Sequence, residues 1–243
     1  MDAEFIRIAS GHALRADAAR QLAESGFVIL PNAVSTERLA VISATYDEVM
    51  SLGSGPNFKI GSTTTRLYFA DCVLAFEEVY RHSPLLEASA NLIGRPFKLS
   101  SLLDRTLRAG SPAQDLHADL ARDCPDAPMA AFILMLDPFQ PDNGATRFVP
   151  GPQNWPDVPS DRRADPRSEC AGQVIAYGDA GSVIVFNGAV WHGHTANLSS
   201  RARRSIQGYL VRRSANTGLA FSDRSLHGTH ARTSSLTRYL LGL

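Results

Sequence analysis

The chain carries no surplus of charge of either sign: 24 Lys and Arg stand against 24 Asp and Glu, a formal net charge of zero. A balanced chain projects no field toward nucleic acid or an anionic bilayer, so neither is expected as a partner. Cysteine is scarce as well. Cys72, Cys124 and Cys170 are odd in number and far apart, which excludes a disulfide framework and a paired-cysteine metal site and reads as free thiols in a reducing compartment. No apolar run nears the roughly 20 residues of a membrane span. The opening Met1-Asp2-Ala3-Glu4 is too acidic for a secretory or transit signal, so a cytoplasmic location is expected. There is no internal repeat and no low-complexity tail. What the chain does have is 243 residues with 44% hydrophobic content, enough to bury a substantial core, and one domain over residues 1–243 is the expectation.

The first part, about residues 1–95, reads as helical. Leu14 to Ser25 is an Ala-rich helix closed by Gly26, and Phe27 to Leu30 a buried strand turned by Pro31-Asn32. Ser35 is a candidate N-cap for a helix whose apolar face is Leu39, Ile42, Tyr46, Val49 and Met50, ending near Gly53. Gly53 to Thr65 is rich in Gly, Ser and Thr and reads as a mobile loop. A further helix has Ser83 as cap and Pro84 in its first turn and stops at Gly94.

After Pro96 the pattern changes to short apolar or alternating runs divided by Gly, Pro, Asp and Asn. These are Phe97 to Leu107, Met129 to Leu136, Thr146 to Val149, Gln173 to Ala176, Ser182 to Phe186 and Arg204 to Arg212. The fold expected is mainly β with flanking helices: a double-stranded β-helix (jelly roll, cupin-like) over about 96–212, with the N-terminal helical segment packed on one sheet. Gln153 to Ser168 reads as a surface loop, and about 213–243 as a C-terminal loop or lid.

Two polar stretches stand out, Leu116-His117-Ala118-Asp119 and Trp191-His192-Gly193. On extended backbone, residues i and i+2 share a face, so His117 and Asp119 can present an imidazole nitrogen and a carboxylate oxygen to one point. Two His and one carboxylate form the facial triad of non-haem Fe(II) oxygenases. His192 or His194 can supply the third ligand. Arg203 and Ser205 share a face on the next strand; a guanidinium offers a permanently charged, bidentate partner for the far carboxylate of a 2-oxo acid, and the hydroxyl a second hydrogen bond.

The chain resembles the phytanoyl-CoA dioxygenase family of Fe(II)/2-oxoglutarate oxygenases. Four features carry the resemblance, over about residues 20 to 210: Gly26-Phe27-Val28-Ile29-Leu30-Pro31-Asn32; His117-Ala118-Asp119; Asp142-Asn143-Gly144-Ala145-Thr146-Arg147-Phe148-Val149-Pro150-Gly151; and Trp191-His192-Gly193 with Asn197 and Arg203. It implies that His117, Asp119 and His192 hold iron, that Arg203 binds 2-oxoglutarate with Ser205 and Thr146 beside it, and that O₂ is consumed. It also places substrate-facing residues in the Gly53–Thr65 segment. The chain departs from the family at Pro152-Gln153, where Ser or Thr and His are usual, and at His194, where a small residue is usual. Halogenating relatives have a small residue at the carboxylate position, so Asp119 implies a hydroxylase rather than a halogenase.

Other residues carry bland readings. Arg66 and Arg105 fit surface salt bridges better than an anion site, Arg201 and Arg204 fit solvated strand charges, and Trp191 is as good a core aromatic as a pocket wall. His227 and His230 lie in a polar C-terminal segment without companions. The rival functions are a cupin-like metalloenzyme that does not use 2-oxoglutarate, a zinc hydrolase, and a non-catalytic relative. A small-molecule substrate is expected, and nothing in the sequence specifies which, nor the oligomeric state.

Overall fold

The computed structural model describes residues 2–51, 58–68, 73–119, 129–151, 159, 165, 167–216 and 234–243. Glycine in the left-handed region sets the first turn of the scaffold. At φ 78°, Gly26 stops α2 (Ala16–Ser25) and sends the chain straight into β1 (Phe27–Leu30). Gly94, at φ 67°, does the same between α5 (Ser83–Ile93) and β4 (Phe97–Leu107). The cap of α5 is His82, not Ser83, because Pro84 already occupies the first turn. A short helix not foreseen in the sequence, α1 (Ala3–Ala9), is capped by the Asp2 carboxylate, which accepts from Glu4 and Phe5 N–H. With α3 (Thr36–Ser51) and α4 (Glu77–Tyr80), these helices cover one face of the large sheet.

That sheet has seven antiparallel strands in the order β1-β8-β5-β10-β4-β3-β2. It adds β2 (Phe58–Ile60), β3 (Thr64–Leu67), β5 (Met129–Met135), β8 (Val183–Asn187) and β10 (Arg203–Arg212) to the two strands named above. A smaller sheet, β7 (Val174–Ala176), β6 (Thr146–Val149) and β9 (Trp191–His194), faces it. The pair of sheets is the jelly roll expected, with the N-terminal helices packed outside the larger one. Strand β5 shows why its sequence is apolar without alternation. Phe132 and Leu134 join the helix-side core, whereas Ala131, Ile133 and Met135 join the core between the sheets, so both faces are covered. In the inner core, Phe27 stacks on Phe148 with centroids 4.3 Å apart.

Two expectations are corrected. The stretch read as a loop from Gly53 to Thr65 contains β2 and begins β3, a short hairpin whose second strand pairs with β4 and whose first strand forms the sheet edge. Part of the expected C-terminal loop is α6 (Ser235–Leu241), whose Tyr239, Leu240 and Leu241 are buried in the helix-side core. His227 and His230, most of the Gln153–Ser168 loop, and Cys72 and Cys124 lie outside the described residues; Cys170 is free and half-buried.

Candidate metal centre

The His117-Ala118-Asp119 segment is not a full strand. It meets β9 at one antiparallel bridge, where His117 N–H donates to the His192 carbonyl and His192 N–H returns the bond, both at 2.9 Å. Flanking ties hold it there: Gln114 N–H donates to the His194 carbonyl at 3.0 Å, and Asp119 N–H to the Gly188 carbonyl at 2.8 Å. Between the two histidines of β9, Gly193 permits the close approach. A Cβ there would stand 3.0 Å from the Asp115 carbonyl oxygen. Buried Arg147 also secures the segment, donating to the Gln114 carbonyl at 2.8 Å.

Direct opposition brings the two imidazole rings to 4.3 Å between centroids. Each Nδ1 sits 3.0 Å from a backbone carbonyl two residues back, Asp115 for His117 and Val190 for His192. A carbonyl needs a donor, so Nδ1 carries the hydrogen and each Nε2 offers its lone pair. Both lone pairs point at Asp119. His117 Nε2 is 3.8 Å from Oδ1, His192 Nε2 is 3.4 Å from Oδ2, and the three ligand atoms lie within 4.8 Å of one another. Asp119 Oδ2 is buried without a hydrogen-bond partner among the described residues. Three acceptors around one point, with no donor among them, suit a cation.

Electrostatics favour the ligating forms. Burial, and after it the neighbouring His192, pushes the His117 imidazole down to about 4. Burial alone would raise the Asp119 carboxyl, but the imidazoles and Arg105 together outweigh it and hold it below its ordinary value. Neutral imidazoles and an ionised carboxylate are the forms a divalent metal requires.

Beside the triad lies a cavity walled by Arg203, Arg105, Thr146, His194, Gln114 and His192. Side chains nearly fill it, leaving about 10 Å³, so a dicarboxylate enters only with side-chain movement. Arg203 is 3% exposed and stacks on Phe139, 3.9 Å from the ring centroid. Its Nε and Nη1 have no hydrogen-bond partner among the described residues, and burial, then Arg105, pushes it down to about 9. Thr146 pairs across the small sheet with His194 and faces the same space. Ser205 is buried, but its hydroxyl donates to the Arg105 carbonyl at 3.1 Å, so contact with a carboxylate requires that bond to be given up.

His194 is a cavity wall, with Nδ1 2.8 Å from the Thr195 carbonyl and Nε2 3.2 Å from Thr63 Oγ1, away from the triad. Trp191 packs with Leu116 and Val149 as a core aromatic. Arg204 is not a solvated charge; it bridges Asp47 of α3 and Asp137, at 2.8 Å each. Arg105 also departs from its surface reading, because its side chain faces the cavity. Gln114 was missed altogether. Its signal was its place three residues before His117, on the segment that must pass the metal ligands.

The sequence profile of the phytanoyl-CoA dioxygenase (PhyH) family matches residues 22–205. The chain belongs to this family of Fe(II)/2-oxoglutarate-dependent oxygenases. Among curated relatives, the dioxygenase olcK of Penicillium canescens is 27% identical over 207 residues, and the dioxygenase cdmA of Talaromyces verruculosus 29% over 148. The matches cover 76% and 54% of this chain but 66% and 48% of those proteins, so this PhyH member spans about two thirds and half of their lengths. Among solved structures, the epimerase SnoN in complex with Fe3+, alpha ketoglutarate and nogalamycin RO superposes with a TM-score of 0.66 at 20% identity. That match covers 88% of this chain and 90% of SnoN, and it establishes a shared fold.

Proposed function

We propose that this protein oxidises an unactivated C–H bond of a small organic substrate, most simply by hydroxylation, with His117, Asp119 and His192 as iron ligands and Arg203 as anchor of the far carboxylate of 2-oxoglutarate. The observation that carries this is the convergence of three acceptors beside a buried guanidinium with unused donors. When bound, iron, 2-oxoglutarate and O₂ supply the oxidation, with succinate and CO₂ released.

The protein's residues orient and exclude. Asp115 and Val190 carbonyls fix both imidazoles in the tautomer that ligates through Nε2. Asp119 supplies the anionic third ligand, which supports hydroxylation over halide transfer because no site is left for a halide in its place. Thr146 flanks Arg203 as a hydrogen-bond partner for the cosubstrate, and Ser205 joins it if its bond to Arg105 opens. His192, 5% exposed, is closed off from bulk water by Phe148 and Phe186, whose rings lie 6.0 and 4.7 Å from it. The described residues act in this reading as one catalytic domain, and the substrate is a small molecule, a class supported by the nogalamycin RO bound in the SnoN complex.

The test is coupled. Asp119→Ala is expected to abolish Fe(II)-dependent conversion of 2-oxoglutarate to succinate, and wild-type turnover in that variant would remove the assignment. With ¹⁸O₂, hydroxylation places label in the product, whereas epimerisation or ring closure leaves it unlabelled.

A further inference from the structure

Arg105 has no task in the reading above, although its side chain faces the same cavity as His192 and Arg203. Its Nη2 donates to Gln114 Oε1 at 2.7 Å and its Nη1 to Gln207 Oε1 at 3.3 Å. Its Nε is buried and has no acceptor among the described residues. Both partners are neutral amides, and among the described residues no carboxylate forms an ion pair with it. Among the described residues, the nearby cations are Arg66 and Arg203, and the nearby anion is Asp119, which the metal-centre reading assigns to the metal. Arg66 lies beside the buried carboxylate of Asp104.

Charge balance then leaves one cation over. Arg203 answers one carboxylate of 2-oxoglutarate, and Asp119 with the other carboxylate answers a divalent metal. Among the described residues, no opposite charge is left in this balance for Arg105. A buried cation without a counter-ion is strongly disfavoured, and a fork held in place by two amide oxygens with a free donor is preorganised for an incoming anion.

We propose that the primary substrate carries a carboxylate, seated on Arg105 with the cavity-lining Tyr209 beside it. This rests on the metal-centre reading and narrows its substrate class to acids.

The test uses the protein loaded with Mn(II) and saturating 2-oxoglutarate without O₂. Relaxation of the methyl protons of acetate by Mn(II) is compared with that of acetamide, the neutral isostere. Acetate is expected to bind and acetamide not, with acetate affinity falling about tenfold or more in Arg105→Gln, as loss of a charged hydrogen bond implies. It should fall less in Arg105→Lys and be unchanged in the exposed-residue control Arg201→Gln. The thermal midpoint of Arg105→Gln should hold or rise, since an unpaired buried charge is removed; collapse of that variant would mark Arg105 as a structural tie and overturn the proposal. Equal relaxation of acetate and acetamide, or acetate binding that survives Arg105→Gln, also overturns it. So does a loss of 2-oxoglutarate affinity in Arg105→Gln as large as in Arg203→Ala, which would assign Arg105 to the cosubstrate. Failure of Mn(II) to bind the wild-type protein at all would defeat the metal-centre reading itself, and this proposal with it.

Discussion

Asn197 touches no ligand atom, yet it governs where Arg203 stands. Fully buried, it donates through Nδ2 to the Arg108 and Arg201 carbonyls at 3.1 and 2.9 Å and accepts through Oδ1 from Ser199 N–H and Oγ at 3.2 and 2.7 Å. Those bonds fold the turn between β9 and β10, two residues before the cosubstrate arginine. Asn197→Ala strands several buried polar groups, so we expect a loss of about 3 kcal/mol in urea unfolding. It should also raise the Michaelis constant for 2-oxoglutarate as Arg203 loses its fixed approach. Arg203→Ala should raise the same constant tenfold or more, with a stability cost confined to the lost packing on Phe139, because no hydrogen-bond partner among the described residues is orphaned; an unchanged constant would point to another anchor. At this scale the triad was legible, since i, i+2 spacing survives any detail of packing. Arg105 was not. Strand β4 passes over Ser100, with Leu210 facing Leu99 and Tyr209 facing Ser101, and this bulge exchanges the faces of all later residues. Simple alternation from Phe97 would have put Arg105 on the helix side, where Asp104 in fact meets the Tyr46 hydroxyl at 3.0 Å.

The element that matters most to the site is the bridge between the 114–119 segment and β9, because it places the two imidazoles opposite each other. Gly193 is its weak point: the Cβ of an alanine, 3.0 Å from the Asp115 carbonyl, would push the segment outward. Gly193→Ala is therefore expected to weaken Mn(II) affinity by about tenfold or more, as loss of support around metal ligands does. Far-ultraviolet circular dichroism should stay unchanged, and retention of wild-type affinity would show that the segment has slack. The central strands β5 and β8 were readable because burial on both faces requires continuous apolar residues. The edge hairpin β2–β3 was not, since polar residues such as exposed Lys59 and half-buried Thr65 carry no period strong enough to separate a strand from a loop. Helix α6 was hidden for a different reason. Its seven residues are too few to show helical periodicity, and only docking against the helix-side core stabilises it.

For the whole molecule, acid should act through imidazoles held neutral by the fold. Burial, before any other cause, lowers His117 to about 4 and His194 to about 3, and it lowers His82 as well, all from 6.5. Between about pH 6.5 and pH 4 the unfolded chain thus binds more protons at these positions than the folded one, so stability is fully present above 6.5 and drains away as the pH falls. Asp104 works the other way. Raised by burial from 3.8 to about 6, it is protonated in the fold but ionised in the unfolded chain between those two values, and its contribution is lost as the pH rises through 6. One carboxyl opposes three imidazoles, so the net slope in the metal-free protein follows the histidines. A bound divalent metal adds about 2.7 kcal/mol at a hundredfold excess over its dissociation constant. That increment depends on unprotonated His117 and ionised Asp119, and it too vanishes in acid. Calorimetry at pH 7.5, 5 and 3.5 should therefore show a falling midpoint without metal, and a Mn(II)-dependent gap that holds at pH 5 and closes only below about pH 4, where His117 takes up its proton. A Mn(II)-dependent gap that persists undiminished at pH 3.5 would place the metal on ligands other than this triad.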